Sequence, residues 1–294
     1  MIIKEIDVKN IMTKSNLPVA DFSVNPYVGC SHACRYCYAS FMKRFTNHPE
    51  PWGEFVDVKY WPEIKNPGKY AGKEAFFGSV TDCYQPCEKK YGRTRALLEQ
   101  LSGSGISLSI ATKSDLVLRD LDLFSEINDR TKAVLELTLT TYDENLCRIL
   151  EPHVCTTARR YEVLKAFQRH GIPTVVWMTP FLPFINDTEE NLRGLLEYCF
   201  DAGVRGILTF GFGLTLRDGD REYFYAALDR HFPGLKQRYH QTYGYSYEIP
   251  SPNRDRLYRI FDEACEQHGV LYRPDEIFRF LHEFPQKTDQ MSLF

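Results

Sequence analysis

Three cysteines lie within eight residues of the sequence, in the stretch Gly29-Cys30-Ser31-His32-Ala33-Cys34-Arg35-Tyr36-Cys37-Tyr38. Their C-x3-C-x2-C spacing places three thiolates on one tight turn, and soft sulfur ligands favour zinc or an iron–sulfur cluster. A closed structural site needs four protein ligands, whereas this turn supplies three. The spacing therefore predicts a metal centre with one position open to another ligand.

The overall composition limits the class of protein. The chain has 294 residues and a formal net charge of −3, so a general polyanion-binding surface is not expected. Its nine cysteines are an odd number, and the first residues lack the apolar segment of a signal peptide. No apolar run approaches the roughly 20 residues that span a bilayer. We therefore expect a cytoplasmic protein with reduced thiols and no membrane association.

A repeating strand–helix pattern is expected to position the cysteine turn. Strand patterns fall at 22–28, 75–81, 106–112, 133–140, 173–179 and 205–211. Helical patterns follow at about 38–45, 92–102, 116–128, 156–169, 188–202 and 220–231. Such alternation is typical of a parallel sheet covered by helices, and six units are too few to close an eight-stranded barrel. We predict an α/β fold built on a partial (β/α)6 barrel.

We divide the chain into three parts. Residues 1–21 form a lead-in, interpreted as a hairpin that ends at Leu17-Pro18; residues 22–214 form the barrel; residues 215–294 form a mostly helical extension over the barrel edge. Residues 46–74 are rich in Pro, Gly and Trp, and we interpret them as an excursion because so long a loop is unusual inside a core.

One face of the predicted strands is polar. In 133–140, the leucines alternate with Glu136, Thr138 and Thr140. Strands of a parallel sheet that is covered on both faces are normally almost continuously apolar. The alternation predicts that the polar face lines a cavity, and an ordinary solvated face is the alternative.

The carboxyl ends of the strands carry the remaining polar candidates, since parallel α/β folds build their sites there. These strand ends supply Thr81 with Asp82, Lys113 with Ser114, Thr138 with Thr140, Thr179 with Pro180, and Gly211 with Gly213. A carboxylate, a cation, hydroxyls and glycines on one rim beside a metal centre suit a zwitterionic ligand that bears a nucleoside.

These motifs resemble a known family. The cysteine turn, with an aromatic residue before the third cysteine, resembles the cluster motif of radical S-adenosylmethionine (SAM) enzymes. The sequence segments 25–39, 81–86, 112–114 and 151–152 are similar to those of the branch related to spore photoproduct lyase, often labelled "DNA repair photolyase-like". The similarity covers roughly residues 15–215.

The resemblance implies a cofactor pair and a reaction. Cys30, Cys34 and Cys37 would hold three irons of a [4Fe–4S] cluster, and the fourth iron would bind the amino and carboxylate groups of SAM. An electron donor of the flavodoxin or ferredoxin type would reduce the cluster. SAM would then be cleaved to a 5′-deoxyadenosyl radical, which takes a hydrogen atom from a substrate.

The resemblance also implies contacts to SAM. Tyr36 would meet the adenine through its backbone, and Thr81 with Asp82 would lie near the amino group. Lys113, with Ser114 beside it, would meet the carboxylate, and Thr138 with Thr140 the ribose or the carboxylate. Gly211 and Gly213 would allow close approach of the adenine.

The other cysteines leave several interpretations open. Spore photoproduct lyase carries a hydrogen-donating cysteine at the end of its second strand, where this sequence has none. Cys83 follows three residues later and is a candidate donor. The alternatives for this group are an auxiliary cluster or zinc site and simple burial; its members are Cys83, Cys87, Cys147 and Cys155. His32 is interpreted as a solvent-facing residue of the turn.

The substrate is the least constrained feature. Residues 231–260 interleave five Lys or Arg with five tyrosines, a pattern that suits single-stranded nucleic acid but also an ordinary tyrosine-rich subdomain. We consider a radical SAM enzyme acting on a nucleic acid or nucleotide, and one acting on a peptide, protein or small metabolite with an accessory partner. The third hypothesis is a zinc-containing binding module without catalysis, with Cys83 as the fourth ligand.

Overall fold

The computed structural model describes residues 1–16 and 20–283. Its strands in chain order are β1 (Ile2–Asp7), β2 (Thr13–Lys14), β3 (Phe22–Val24), β4 (Tyr27–Val28), β5 (Phe55–Tyr60), β6 (Glu74–Phe77), β7 (Ser107–Thr112), β8 (Ala133–Thr138), β9 (Thr174–Trp177), β10 (Gly206–Leu208), β11 (Gly213–Thr215) and β12 (Glu248–Pro250).

The helices alternate with these strands. The α-helices are α1 (Glu88–Tyr91), α2 (Arg93–Leu101), α3 (Leu121–Arg130), α4 (Glu144–Leu150), α5 (Thr157–Arg169), α6 (Glu189–Asp201), α7 (Asp220–His231), α8 (Leu235–Tyr243), α9 (Arg254–His268) and α10 (Pro274–His282). Segments Tyr38–Phe45, Pro67–Tyr70 and Asp115–Asp120 are 3-10 helices. Among the residues described, no helix combines the length and apolar character needed to span a bilayer.

The main sheet is the predicted partial barrel. Its order is β10-β9-β8-β7-β6-β3-β2, and β3 with β6 to β10 run parallel. The short β2 pairs antiparallel with the β3 edge. Six parallel strands with helices between them confirm the open (β/α)6 architecture expected from the sequence.

The two faces of the barrel strands differ as the alternation predicted. Leu108, Ile110 and Leu135 point outward into the main core under the helices, where each buried side chain contributes about 1.5–3 kcal/mol. Ser109 and Glu136 point inward and are 0% exposed. The polar face is therefore the interior of the barrel and not a solvated surface.

Helix α10 closes the barrel at the amino ends of the strands. Its Ile277 and Leu281 pack against the inward-facing side chains of four strands, namely Phe76, Val134, Val175 and Leu208. The Lys132 ammonium, just before β8, donates to the carbonyls of Phe280 and, at 2.8 Å, Glu283, which end this helix. A cation at the C-terminus of a helix is favourable because the last carbonyls lack partners.

The N-terminal part of the chain departs from the prediction. β1 pairs in parallel with β5 of the excursion, whereas β2 pairs antiparallel with β3, and the Ser15 N–H donates to the Asp21 carbonyl at 2.8 Å. The strand expected at 22–28 is split because Pro26 cannot donate to a ladder, so β4 leaves the barrel and joins β5. The predicted end of the lead-in at Leu17-Pro18 lies outside the described residues.

The C-terminal extension covers one side of the barrel mouth. β11 and β12 form an antiparallel pair, and the boundary predicted between 214 and 215 falls inside β11. Helix α9 places Leu257 and Phe261 in the main core. This packing brings the segment between β12 and α9 to the carboxyl ends of the barrel strands.

Candidate active site

A cavity of about 1150 Å³ opens at the carboxyl ends of the barrel strands. The cysteine turn, the strand ends and the C-terminal extension all contribute to its walls. Its volume exceeds that of common small-ligand pockets, so it has room for a cofactor and part of a substrate together. Its polar lining includes Cys30, Cys34, Cys37, His32, Thr81, Asp82, Lys113 and Thr138.

The cysteine turn is buried and conformationally constrained. Cys30 and Cys34 are 8% and 6% exposed, and Cys37 is half-buried. Between the first two, Ala33 has φ of 51°, a left-handed conformation that is costly for a residue with a side chain. The turn is thus held in its shape by its surroundings.

The charge around the thiols favours their role as ligands. Burial raises the pKa of all three thiols, and the nearby Lys113 ammonium opposes that rise at Cys34 and Cys37. Because metal ligands must be thiolates, a half-buried cation near two of them stabilises the binding form.

Gln85 ties the turn to the end of β6. Its carbonyl oxygen accepts from the backbone N–H of Ser31 at 2.8 Å, and its amide donates to the Gly29 carbonyl and to the Thr81 hydroxyl. The Thr81 hydroxyl in turn donates to the Gly29 carbonyl at 2.6 Å. Gln85 was not predicted from the sequence as a site residue. Its only indication was its position within segment 81–86, which is similar to the spore photoproduct lyase branch.

Asp82 is a fixed negative charge in the cavity. Its carboxylate accepts from the Thr112 hydroxyl at 2.7 Å and from the Lys113 and Tyr84 backbone N–H groups at 2.9 and 2.8 Å. Burial alone would raise the pKa of Asp82, but His32 and these donors together hold it down at about 2. The group is therefore ionised at neutral pH and oriented before any ligand arrives.

His32 lies in the site and not in solvent, so its interpretation as an exposed turn residue was wrong. It is 3% exposed, and its Nε2 lies 3.3 Å from the Asp82 carboxylate. Its Nδ1 pairs with the carbonyl of His153 at 2.9 Å. The turn folds inward over the strand ends, which the spacing of its residues did not reveal.

A buried ion-pair network supports the other side of the turn. The Tyr36 hydroxyl donates to Glu151, and Arg160 pairs with the same carboxylate with both side chains fully buried. Arg160 also donates to the Thr138 carbonyl at 2.7 Å. The Lys113 ammonium lies 6.0 Å from the Tyr36 ring. The network links the cysteine turn to the ends of β7 and β8.

Most of the predicted rim residues meet at the cavity, and three do not. Tyr36, Thr81, Asp82, Lys113, Thr138, Gly211 and Gly213 line it, together with Thr179 and Pro180. Ser114 instead caps the following 3-10 helix by accepting from Leu116 N–H at 3.2 Å. Thr140 is fully buried and bonds with Thr141, behind the cavity wall. Both residues follow strand ends in the sequence but turn away from the cavity.

Cys83 is the third predicted site residue that the structure leaves outside the cavity. It is 0% exposed within the main hydrophobic core. Cys87 packs under Tyr27, Cys147 contacts Glu151 and Cys155 contacts the Lys113 carbonyl, so these cysteines are dispersed. Within the described ranges, no three His, Cys, Asp or Glu side chains are grouped to hold a single metal ion.

Aromatic side chains form the wall opposite the cysteine turn. Trp177 and Phe210 meet edge to face with ring centroids 5.5 Å apart, and Phe76 stacks against Trp177 at 6.4 Å. Phe210 is 61% exposed, and its ring faces Phe278 of α10 at 6.5 Å. Their isolated positions in the sequence gave no signal for this aromatic wall.

The predicted surface at 231–260 is divided between core and cavity. Tyr239 is fully buried, and Lys236 and Arg256 pair with acids. Residues 247–250, 254, 255 and 258 line the cavity mouth. Among them, Arg254 contacts the neighbouring carboxylate of Asp255 at 3.0 Å. The segment does not form a continuous basic groove.

A sequence model of the radical SAM superfamily matches residues 24–199, which include the cysteine turn and most of the barrel strands. The chain belongs to this superfamily. The family implies a [4Fe–4S] cluster and SAM as cofactors, together with a reductant.

Similar sequences occur in archaea and bacteria. A protein of Methanocaldococcus jannaschii, described only as uncharacterized, is 36% identical over 187 residues, 63% of this chain and 70% of that protein. An uncharacterized protein of Mycobacterium tuberculosis is 31% identical over 245 residues, 80% of this chain and 71% of that protein.

Solved structures share the fold at low identity. Spore photoproduct lyase complexed with a dinucleoside spore photoproduct has a TM-score of 0.66 at 13% identity, covering 92% of this chain and 81% of that chain. SuiB of Streptococcus suis bound to S-adenosylmethionine has a TM-score of 0.51 at 12% identity, covering 85% of this chain and 49% of the other.

The residues present fit the two implied cofactors. Two buried thiols, a half-buried third and a nearby cation suit a cluster, and the pre-oriented Asp82 and the Lys113 ammonium offer opposite charges to the ammonium and carboxylate of SAM. The zinc module would need Cys83 as a fourth ligand, but Cys83 lies in the main core and does not line the cavity with the three thiols of the turn.

Proposed function

We propose that this protein is a radical SAM enzyme that takes a hydrogen atom from a substrate held at the aromatic wall. One observation carries the proposal: the three thiols of the turn share one cavity with the opposite charges of Asp82 and Lys113 and with that wall. When bound, the cluster and SAM together supply the chemistry of reductive SAM cleavage and hydrogen abstraction.

The chain's own residues hold and orient both cofactors in this proposal. Cys30, Cys34 and Cys37 ligate the cluster. The Asp82 carboxylate attracts the ammonium of SAM, and the Lys113 ammonium meets its carboxylate. Because the Asp82 carboxylate is buried and oriented by its donors before binding, little reorganisation is needed on that side when SAM enters.

Gly211 and Thr138 complete the proposed SAM site. Gly211 has φ of 110° and no Cβ, so its backbone admits close approach of a flat ring. Thr138 continues the polar inward face of β8 and lines the cavity, so its hydroxyl is available to the ribose or carboxylate.

The aromatic wall supports a substrate with a planar ring, and we propose a nucleobase of a nucleic acid or nucleotide. Stacking of a base on an aromatic side chain contributes about 1–3 kcal/mol. Arg217 and Arg254 line the mouth of the same cavity, where a phosphate would lie. The alternative substrate is a peptide or small metabolite with an aromatic group, and the test must distinguish it from a nucleobase.

Cluster assembly and SAM cleavage test the reaction class. Anaerobic reconstitution with iron and sulfide is expected to give four irons per chain, and dithionite is expected to yield 5′-deoxyadenosine from SAM. Cys34→Ala should lose both, whereas Cys199→Ala, buried in the core away from the cavity, should retain both. A colourless protein with one zinc, or SAM cleavage by Cys34→Ala, would refute the assignment.

Oligonucleotide binding tests the substrate class. The reconstituted enzyme with SAM is expected to bind single-stranded oligonucleotides with an affinity that falls as salt rises. Phe210→Ala should weaken binding about tenfold, and Phe45→Ala, equally exposed but outside the cavity, should not. Undetectable or salt-independent binding would eliminate the nucleic-acid proposal and leave the peptide or metabolite alternative.

A further inference from the structure

The excursion at 46–74 forms the outer side of the cysteine turn. A Cβ on Gly53 would lie 2.6 Å from the Cβ of Ala33, and a Cβ on Gly29 would lie 2.5 Å from the carbonyl of Phe55. Such close approach requires a glycine in each segment, namely Gly29 in the turn and Gly53 in the excursion. The excursion is therefore packed directly on the loop that carries the thiols.

Trp52 is the residue of the excursion that reaches the thiols. It is 4% exposed, and it packs in one cluster with Cys30, Cys37 and Ala39. It also lines the same cavity as the three cysteines. A tryptophan is thus part of the wall around the predicted ligands.

The indole N–H of Trp52 is a buried donor without a completed hydrogen bond among the described residues. Buried donors in folded proteins are nearly always paired, so an unmet one beside a binding site indicates a group that the site receives. The Cys37 side chain packs against the cluster that contains Trp52, so its sulfur is an acceptor within reach of this N–H. A neutral thiol is a weak acceptor, whereas a metal-bound thiolate is a strong one.

We propose that Trp52 donates its indole N–H to the sulfur of Cys37 when that sulfur ligates the cluster, and so raises the reduction potential of the cluster. One electron from the external reductant adds negative charge to the cluster and its sulfurs. A hydrogen bond to sulfur is stronger in that reduced state, so it favours reduction. The inference rests on the proposed function, because it requires the cluster.

The test replaces the donor and keeps an aromatic ring. Trp52→Phe is expected to assemble the cluster with unchanged iron content and to bind SAM. Its equilibrium constant for one-electron reduction of the cluster should be about tenfold smaller. For one electron this corresponds to a midpoint potential about 59 mV more negative. The measurement is an anaerobic redox titration of the reconstituted enzyme followed by electron paramagnetic resonance.

Trp61→Phe is the matched control. Trp61 also carries a buried indole N–H that has no hydrogen-bond partner in the described part of the chain, but it packs against the main core and does not line the cavity. Its loss should leave the potential unchanged. An unshifted potential in Trp52→Phe, or an equal shift in both variants, would overturn the role of Trp52. A wild-type protein without iron would instead refute the proposed function.

A second measurement covers the case in which Trp52→Phe fails to assemble a cluster. Wild-type enzyme labelled with nitrogen-15 at its tryptophans is reduced, and the hyperfine coupling of the label to the cluster is recorded. A coupling is expected, since the indole nitrogen is bonded through hydrogen to a ligand sulfur. Its absence would refute the hydrogen bond whatever the variant does.

Discussion

Replacing Glu136 by glutamine is expected to stabilise the protein, and increasingly so as pH rises. Glu136 points into the barrel from β8 and is fully buried. The Trp177 indole N–H donates to one of its oxygens, and the Ser109 hydroxyl is the other hydrogen-bonding group beside the carboxylate. A carboxylate so placed loses its hydration without a compensating cation, and a glutamine keeps the acceptor for Trp177 without the charge.

The magnitude follows from the pKa of Glu136, which burial raises from its usual 4.5 to about 7. At about 1.4 kcal/mol per pH unit, that difference corresponds to roughly 3 kcal/mol. Because the folded protein binds the proton more tightly than the unfolded chain, this stability is present below pH 4.5. It is lost as pH rises to about 7 and stays lost above that value.

Denaturant unfolding at pH 5 and pH 8 measures this difference. The advantage of Glu136→Gln over the wild type should be about 2 to 3 kcal/mol larger at pH 8. Glu63→Gln on the surface is the control and should show no such dependence. An advantage that is equal at both pH values, or larger at pH 5, would refute the assignment of a buried, proton-binding carboxyl.

Two further substitutions probe the supports of the cysteine turn by equilibrium unfolding. Arg160→Met should cost about 3–5 kcal/mol because it leaves the Glu151 carboxylate buried and unpaired. Adding Glu151→Gln should recover much of that loss, and a full cost in the double variant would disprove the charge argument. Gly29→Ala should cost at least 1–3 kcal/mol, since φ of 80° strains the backbone and the Cβ meets the carbonyl of Phe55. Gly72→Ala, with φ of 70° but open space around it, isolates the backbone contribution, so equal costs would argue against the contact.

The barrel was predictable because its signals are local. The strands expected at 106–112 and 133–140 appear as Ser107–Thr112 and Ala133–Thr138, since alternation along one strand records which face is buried. The same alternation identified the polar interior around Glu136. The pairing of two strands that are far apart in the sequence has no comparable local pattern, so the parallel pairing of β1 with β5 was not predicted.

The site was predictable where chemistry and position coincide in the sequence. The three cysteines, Asp82 and Lys113 are reactive types at strand ends, and the cavity contains all of them. Cys83 satisfies the same description but its side chain points into the core, because orientation depends on the turn that follows β6. Trp52 and Phe210 reach the cavity from distant segments, and nothing near them in the sequence indicates the direction.

The closure of the barrel by α10 limits how a ligand can reach the proposed site. Among the described residues, Ile277 and Leu281 fill the amino end, and the cavity lies at the carboxyl ends, where Tyr258 contributes to its wall. The aromatic wall lies toward this closed end, since Phe76, Trp177 and Phe278 pack in the same cluster as Ile277 and Leu281. Under the proposed function, a polymeric substrate would therefore offer a protruding unit to the cavity, because a strand could not pass through the closed end.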